Sequence, residues 1–170
     1  MQDNGFGIGI LTGGGYKVYY NSISINTNQI NGSGISAAVF IDNRPTATEL
    51  GVGSTPVALN IRNNIFSNTR TGGTGNHLAI GNNINNAGSA TGWAAGASNY
   101  NIFTCATNTI GYWNGALQTL TTWQASTSCD ANSFANAAVT FVNSNNDLHL
   151  NMGTTANLIE SNAQAISGIT

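Results

Sequence analysis

The most regular pattern of apolar and polar positions lies in residues 58–80, ALNIRNNIFSNTRTGGTGNHLAI. Leu59 and Ile61 alternate with polar neighbours, the pair Asn63 and Asn64 intervenes, and Ile65 and Phe66 resume the apolar signal. Gly72, Gly73 and Gly75 then interrupt it before His77, Leu78, Ala79 and Ile80. Alternation with period two predicts half-buried β-strand, because successive side chains point to opposite faces, and clustered glycines predict a turn.

The same signals run along the chain. Residues 5–11 (GFGIGIL), 16–25 (YKVYYNSISI), 36–41 (SAAVFI), 57–68, 78–81 and 100–103 each read as one strand. Gly13 to Gly15 turn the chain, 26–34 and 42–56 are polar loops, and 82–96 is a long Asn/Ala/Gly loop carrying Trp93. Residues 110–115 predict a strand ending in the Asn114-Gly115 turn. Leu117, Leu120 and Trp123 fall at helical spacing and predict one short helix near residues 116–125, followed by strands at 139–142 and 148–150.

These elements recur. Asn21-Ser22-Ile23, Asn63-Asn64-Ile65 and Asn99-Tyr100-Asn101 lie about 42 and 36 residues apart, and short strands around Ile8, Val39, Leu78, Ile110 and Val139 return at comparable intervals. Irregular periods of this size predict stacked repeat units with loops of variable length. The expectation is an all-β, right-handed parallel β-helix of about four to six coils, forming one domain over residues 1–170. Nothing in the first residues suggests a cover for the first coil. An uncovered strand edge invites pairing, so the chain is expected to be part of a longer protein or to stack end to end on neighbouring modules.

Composition agrees with stacking. Only 6% of residues are charged, against roughly a quarter in an average domain. In stacked parallel strands like charges would oppose like charges, whereas asparagine passes amide hydrogen bonds from strand to strand and tolerates left-handed corners. Four Lys and Arg and a net charge of −2 cannot neutralise a phosphate track, so nucleic acid is excluded as partner. No run approaches the roughly 18 apolar residues of a membrane-spanning helix, so membrane insertion is not expected.

Taken together, the VYYNSISI, SAAVFI, LNIRNNIFSNTRTGGTGNHLAI, SNYNIFT, IGYWNGALQTLTTWQAS and DANSFANAAVTFVNSNNDLHL segments resemble the right-handed parallel β-helix repeat proteins that many bacteria, especially Bacteroidetes, secrete or display. RNNIFSNT and DLHL are the most specific parts, and the resemblance runs from about Gly5 to Ile169. It implies an extracellular or cell-surface location, and a final cap that would fall in residues 156–168, whose wording departs from the family's SPAIDAG-like segment at Asn157, Ser161 and Asn162. No signal sequence is present in these residues.

Candidate chemistry is sparse. The acids Asp3, Asp42, Glu49, Asp130, Asp147 and Glu160 are scattered beside turns, where a solvated carboxylate is ordinary, while glycoside hydrolysis needs carboxylates converging within roughly 5 to 10 Å. Lyase chemistry would fall to Lys17, Arg44, Arg62 and Arg70. Arg62, Arg70 and His77 are the charged exceptions within the best-formed repeat, and a hydrogen-bonded structural role competes with ligand binding for each. No metal-ligand spacing surrounds His77 or His149. Asp42 and Glu49 could supply oxygen ligands to Ca²⁺, against which a salt bridge with Arg44 competes. Trp93, Tyr112, Trp113 and Trp123 could stack on surface glycans or could cover the side of the strands. Cys105 and Cys129 could form a disulfide or remain two buried thiols. The reading that follows is a non-catalytic structural or adhesive module without cofactors; its rival is a carbohydrate-binding or polysaccharide-degrading protein.

Overall fold

The computed structural model describes residues 5–11, 13–42, 58–83, 93–151 and 162–169. Three sheets contain strands that are distant in sequence but paired in parallel. The first takes β1 (Gly5–Ile10), β4 (Ser36–Asp42), β7 (His77–Asn83) and β10 (Gly111–Trp113) in that order. The second takes β3 (Ser22–Ile25), β6 (Ile65–Asn68), β9 (Ile102–Cys105) and β12 (Phe134–Ala135), and the third β2 (Lys17–Tyr19), β5 (Asn60–Arg62) and β8 (Ser98–Asn99). Between them lies a core built from Val39, Ile61, Phe66, Ile80, Phe103, Ile110 and Trp123.

Two segments expected as single strands, 16–25 and 57–68, each contain two strands meeting at a corner, and the strand expected at 100–103 begins on such a corner, between β8 and β9. The corner residue is left-handed in every case: Tyr20 (φ 55°), Asn63 (φ 58°) and Tyr100 (φ 56°). A single left-handed residue redirects the chain from the third sheet into the second, which alternation of apolar residues cannot signal.

The residue after each corner is an asparagine, and these form a ladder. Asn64 Oδ1 accepts from the backbone N–H and Nδ2 of Asn21, both at 3.0 Å. Asn101 Oδ1 accepts likewise from Asn64 N at 3.0 Å and Nδ2 at 2.9 Å. The Asn64 amide also donates to the carbonyls of Val18 and Arg62, and Asn101 to that of Ile61. The corners remove backbone groups from the strand ladders, and the amides supply the missing partners inside the protein. The spacing along this ladder is 43 and then 37 residues. The asparagines that stack are therefore Asn21, Asn64 and Asn101, the last two lying one and two residues beyond the positions aligned in the sequence.

The expected right-handed parallel β-helix running through the whole chain is corrected by the sheet topology. The described residues are mostly β, in parallel and mixed sheets with one short helix. Asn114 (φ 44°) and Gly115 (φ 90°) make a tight two-residue turn, and β11 (Ala116–Gln118) folds back antiparallel on β10, closing that sheet as a mixed one. β13 (Phe141–Asn143) and β14 (Asp147–Leu150) pair antiparallel, only with each other. Val139 consequently belongs to the apolar cluster under this hairpin rather than to the first sheet.

The helix expected near 116–125 is displaced for the same reason. Residues 116–118 are taken by the hairpin, leaving Leu117 48% exposed. Helix α1 spans Leu120–Thr127, opened by a capping box between Thr119 and Thr122 and closed by left-handed Ser128. The segments 43–57 and 84–92, and the first part of the expected cap, lie outside the described residues.

If the amide ladder holds the corners together, Asn64→Ala should lower the unfolding free energy by about 3 kcal/mol, since it leaves several buried partners unsatisfied. Urea unfolding measures this, and a loss below about 0.5 kcal/mol would show that the corners are held by something else.

Candidate functional site

The ladder ends on a carboxylate. Asp130, with no solvent exposure, accepts at Oδ1 from Ser133 Oγ (2.6 Å), Ser98 Oγ (3.0 Å) and Asn101 Nδ2 (3.1 Å), and at Oδ2 from Trp123 Nε1 (2.8 Å). Its position is set from both sides: Ser98 and Asn101 flank the β8–β9 corner, while Trp123 points inward from α1. Asp130 is itself left-handed (φ 60°), and its N–H donates to Ser98 O. The sequence reading treated it as one more turn aspartate. Its distance from Asn101, 29 residues, was the available signal that an acid here stands near the end of the asparagine series.

Burial pushes the Asp130 carboxyl above its ordinary range, while the bonds from Ser133, Trp123, Asn101 and Ser98 pull it back down. The carboxylate thus organises a dry polar centre beneath tryptophans, with no open face to a substrate.

The aromatic candidates divide by burial. Trp93 and Trp123 are buried, and with Trp113 they form a triangle with ring centroids 5.6 to 5.8 Å apart, largely edge to face. Tyr112 packs in a different cluster with Phe40 and Leu78. These four side chains cover the ends and flank of the sheets and present no common aromatic platform.

His77, at the start of β7, is bonded at both ring nitrogens: Nδ1 lies 2.9 Å from Ser36 Oγ and Nε2 2.9 Å from Gly72 O. Because the carbonyl can only accept, Nε2 donates to it, and Nδ1 shares a hydrogen bond with the Ser36 hydroxyl. Ser36 Oγ also accepts from Asn68 and has no solvent exposure, so this Ser-His contact is a strut and offers no nucleophile. Arg70 and His77 line one cavity of about 370 Å³ together with Thr71, Asn76 and Thr107. Arg70 is buried, and a side chain at Gly5 would press on its guanidinium at 3.1 Å.

Arg62 lies elsewhere. Its Nε donates to Asn60 Oδ1 at 2.8 Å, Nη2 to Gly96 O at 2.6 Å and Nη1 to Gln164 Oε1 at 3.0 Å. Asn63 beside it bonds reciprocally to the backbone of Gln164, accepting at 2.9 Å and donating at 2.7 Å. Residues 162–169 thereby lie against the corner ridge, and sequence periodicity carries no sign of this contact.

Of the weak metal candidates, Asp42 is buried at the end of β4 and Glu49 lies outside the described residues. No group of three or more His, Cys, Asp or Glu suited to a metal occurs among the described residues. On the β13–β14 hairpin, exposed His149 Nδ1 lies 2.6 Å from Asp147 Oδ1, and its backbone and ring bonds hold Asp147 below the usual carboxylate range.

Cys105 and Cys129 are both free thiols rather than a disulfide. Burial drives Cys105 up to about 12 and also raises Cys129, keeping both as thiols near neutrality. A thiol titration should therefore find two reactive groups in denaturant and only slow reaction in the folded protein; no thiols in denaturant would mean a disulfide.

A second outcome follows from Asp130. A carboxyl whose folded value lies above its unfolded value takes up a proton on folding, so its contribution is full below the unfolded value, near 3.8, and is lost as pH rises through the folded one. Relative to Asp130→Asn, the natural chain should lose unfolding free energy as pH is raised through that window; a constant difference would contradict the direction of the shift. Compared with family models, curated proteins and solved structures, the chain matches none.

Proposed function

We propose that the chain is a non-catalytic structural or adhesive module of a bacterial extracellular or cell-surface protein. The observation that carries this reading is the employment of its reactive side chains as internal struts. His77 links Ser36 to Gly72, Arg62 ties β5 to Gly96 and Gln164, and Asp130 terminates the amide ladder. Acid–base catalysis needs such groups convergent and facing a substrate. Among the described residues, the carboxylates Asp42, Asp130 and Asp147 belong to the end of β4, the buried ladder terminus and the hairpin, respectively.

A surface made of Asn, Ser, Thr and Gly with 6% charge suits a repeated scaffold that is displayed rather than one that attracts ions. No helix among the described residues is long and apolar enough to cross a membrane. The extracellular assignment rests on the resemblance in the VYYNSISI, RNNIFSNT and DLHL segments.

Two measurements test the proposal. Incubation with polygalacturonate or alginate should release neither new reducing ends nor unsaturated products; sustained release by the purified chain would make it an enzyme. Antibodies against the chain should label intact cells or the medium of the bacterium that encodes it, and labelling confined to lysates would remove the surface assignment.

A further inference from the structure

Within residues 162–169, Gln164 bonds to the corner ridge through both its side chain and its backbone. Gln164 accepts at its carbonyl from Asn63 Nδ2 (2.7 Å) and Tyr20 OH (3.1 Å), donates its N–H to Asn63 Oδ1 (2.9 Å), and accepts at Oε1 from Arg62 Nη1 (3.0 Å). All four bonds are exposed. Asn63 thus grips a peptide unit by both its donor and its acceptor, as a neighbouring strand would. Left-handed Asn63 turns its amide outward while Asn64 points into the ladder.

A cleft of about 380 Å³ continues from this grip, with Asn162 and Ala163 on its edge. Its floor is the outer row of the second sheet, Ile65, Ile102 and Phe134, which the register places side by side. On the ridge beyond Asn63, Tyr100 and Asn132 line the cleft, and neither the Tyr100 hydroxyl nor the Asn132 amide is bonded among the described residues. An apolar floor beside free hydrogen-bonding tips suits an extended chain whose side chains alternate while its backbone pairs with the ridge.

Charge selects the occupant. Arg62 has carbonyl and amide oxygens as its partners, so its guanidinium meets no carboxylate among the described residues. A glutamate in place of Gln164 would give it a charge-assisted bond, roughly twice as strong as a neutral one. We propose that Tyr20, Arg62 and Asn63, with the adjoining cleft, form a docking site for an extended segment of a partner protein bearing a glutamate at the gripped position, and that the chain's own Gln164 is a weaker occupant holding the site closed. The proposal rests on the adhesive reading and names its contact chemistry. The tail competes by being tethered, which raises its effective concentration over that of a free peptide.

The experiment titrates two capped peptides, NAQAISGI (residues 162–169) and its glutamate counterpart NAEAISGI, into the natural chain and into Gln164→Pro, which loses both the Oε1 bond to Arg62 and the N–H that Asn63 accepts. The glutamate peptide should bind the variant about tenfold more tightly than it binds the natural chain, and more tightly than the glutamine peptide binds the variant. Adding Asn63→Gly, which keeps a residue suited to the left-handed corner, should abolish binding, with melting temperatures reporting that each variant is folded. Absence of binding to folded Gln164→Pro, or binding indifferent to Asn63, overturns the docking site. Equal affinity for the two peptides overturns the acidic partner. Cell-surface labelling that persists when peptides fail would leave the module reading standing without this site, whereas peptide binding by a chain that depolymerises polysaccharide would do the reverse.

Discussion

The side-chain amide bonded to its counterpart in the next strand is the interaction on which the rest depends. Each corner turns through one left-handed residue, and turning there removes backbone donors and acceptors from the regular ladders. Asn21, Asn64 and Asn101 restore those partners from within. Asparagine suits the task because one planar group both donates and accepts, so each member satisfies the next without adding charge to a dry interior. Serine could not span the gap in both directions, and a stack of aspartates would repel itself.

Such a series must end, and its end shows how the interior manages charge. Ser133 takes the next position by accepting from the Asn101 N–H at 2.9 Å, and the Asp130 carboxylate accepts from the Asn101 amide. A carboxylate only accepts when ionised, so it can close a line of donors, and the Trp123 indole closes it from the other side. Helix α1 is short, yet its Trp123 joins the tryptophan triangle to the ladder terminus. Packing and hydrogen bonding meet at one residue there, where an acid with no exposure is held by four donors.

The outer surface follows a different logic. The corner that points Asn64 inward points Asn63 outward, so the ridge displays amides and tyrosines beside an apolar row whose Ile65 and Ile102 are already buried against Phe141 of the hairpin. The Asn63 amide that binds Gln164 acts on peptide backbone with the same donor and acceptor geometry that builds the interior. Arg62, the one cation on this ridge among the described residues, contributes charge without a carboxylate to match it. In a chain where 6% of residues are charged, that imbalance is concentrated enough to discriminate between neutral and acidic partners.

By itself the sequence determined the β character, the positions of most strands and the importance of asparagine, because these rest on local alternation, turn chemistry and composition. Tertiary structure decided what local patterns do not encode. Tyr20, Asn63 and Tyr100 break apparently continuous strands because one backbone angle, invisible to apolar periodicity, changes sign. The Asn114-Gly115 hairpin overrode the helical spacing of Leu117, since pairing β11 with β10 satisfies more backbone groups than one further helical turn. The roles of Asp130 and Gln164 depended on partners as far as 32 and 144 residues away, and a contact of that separation exists only once the chain has folded.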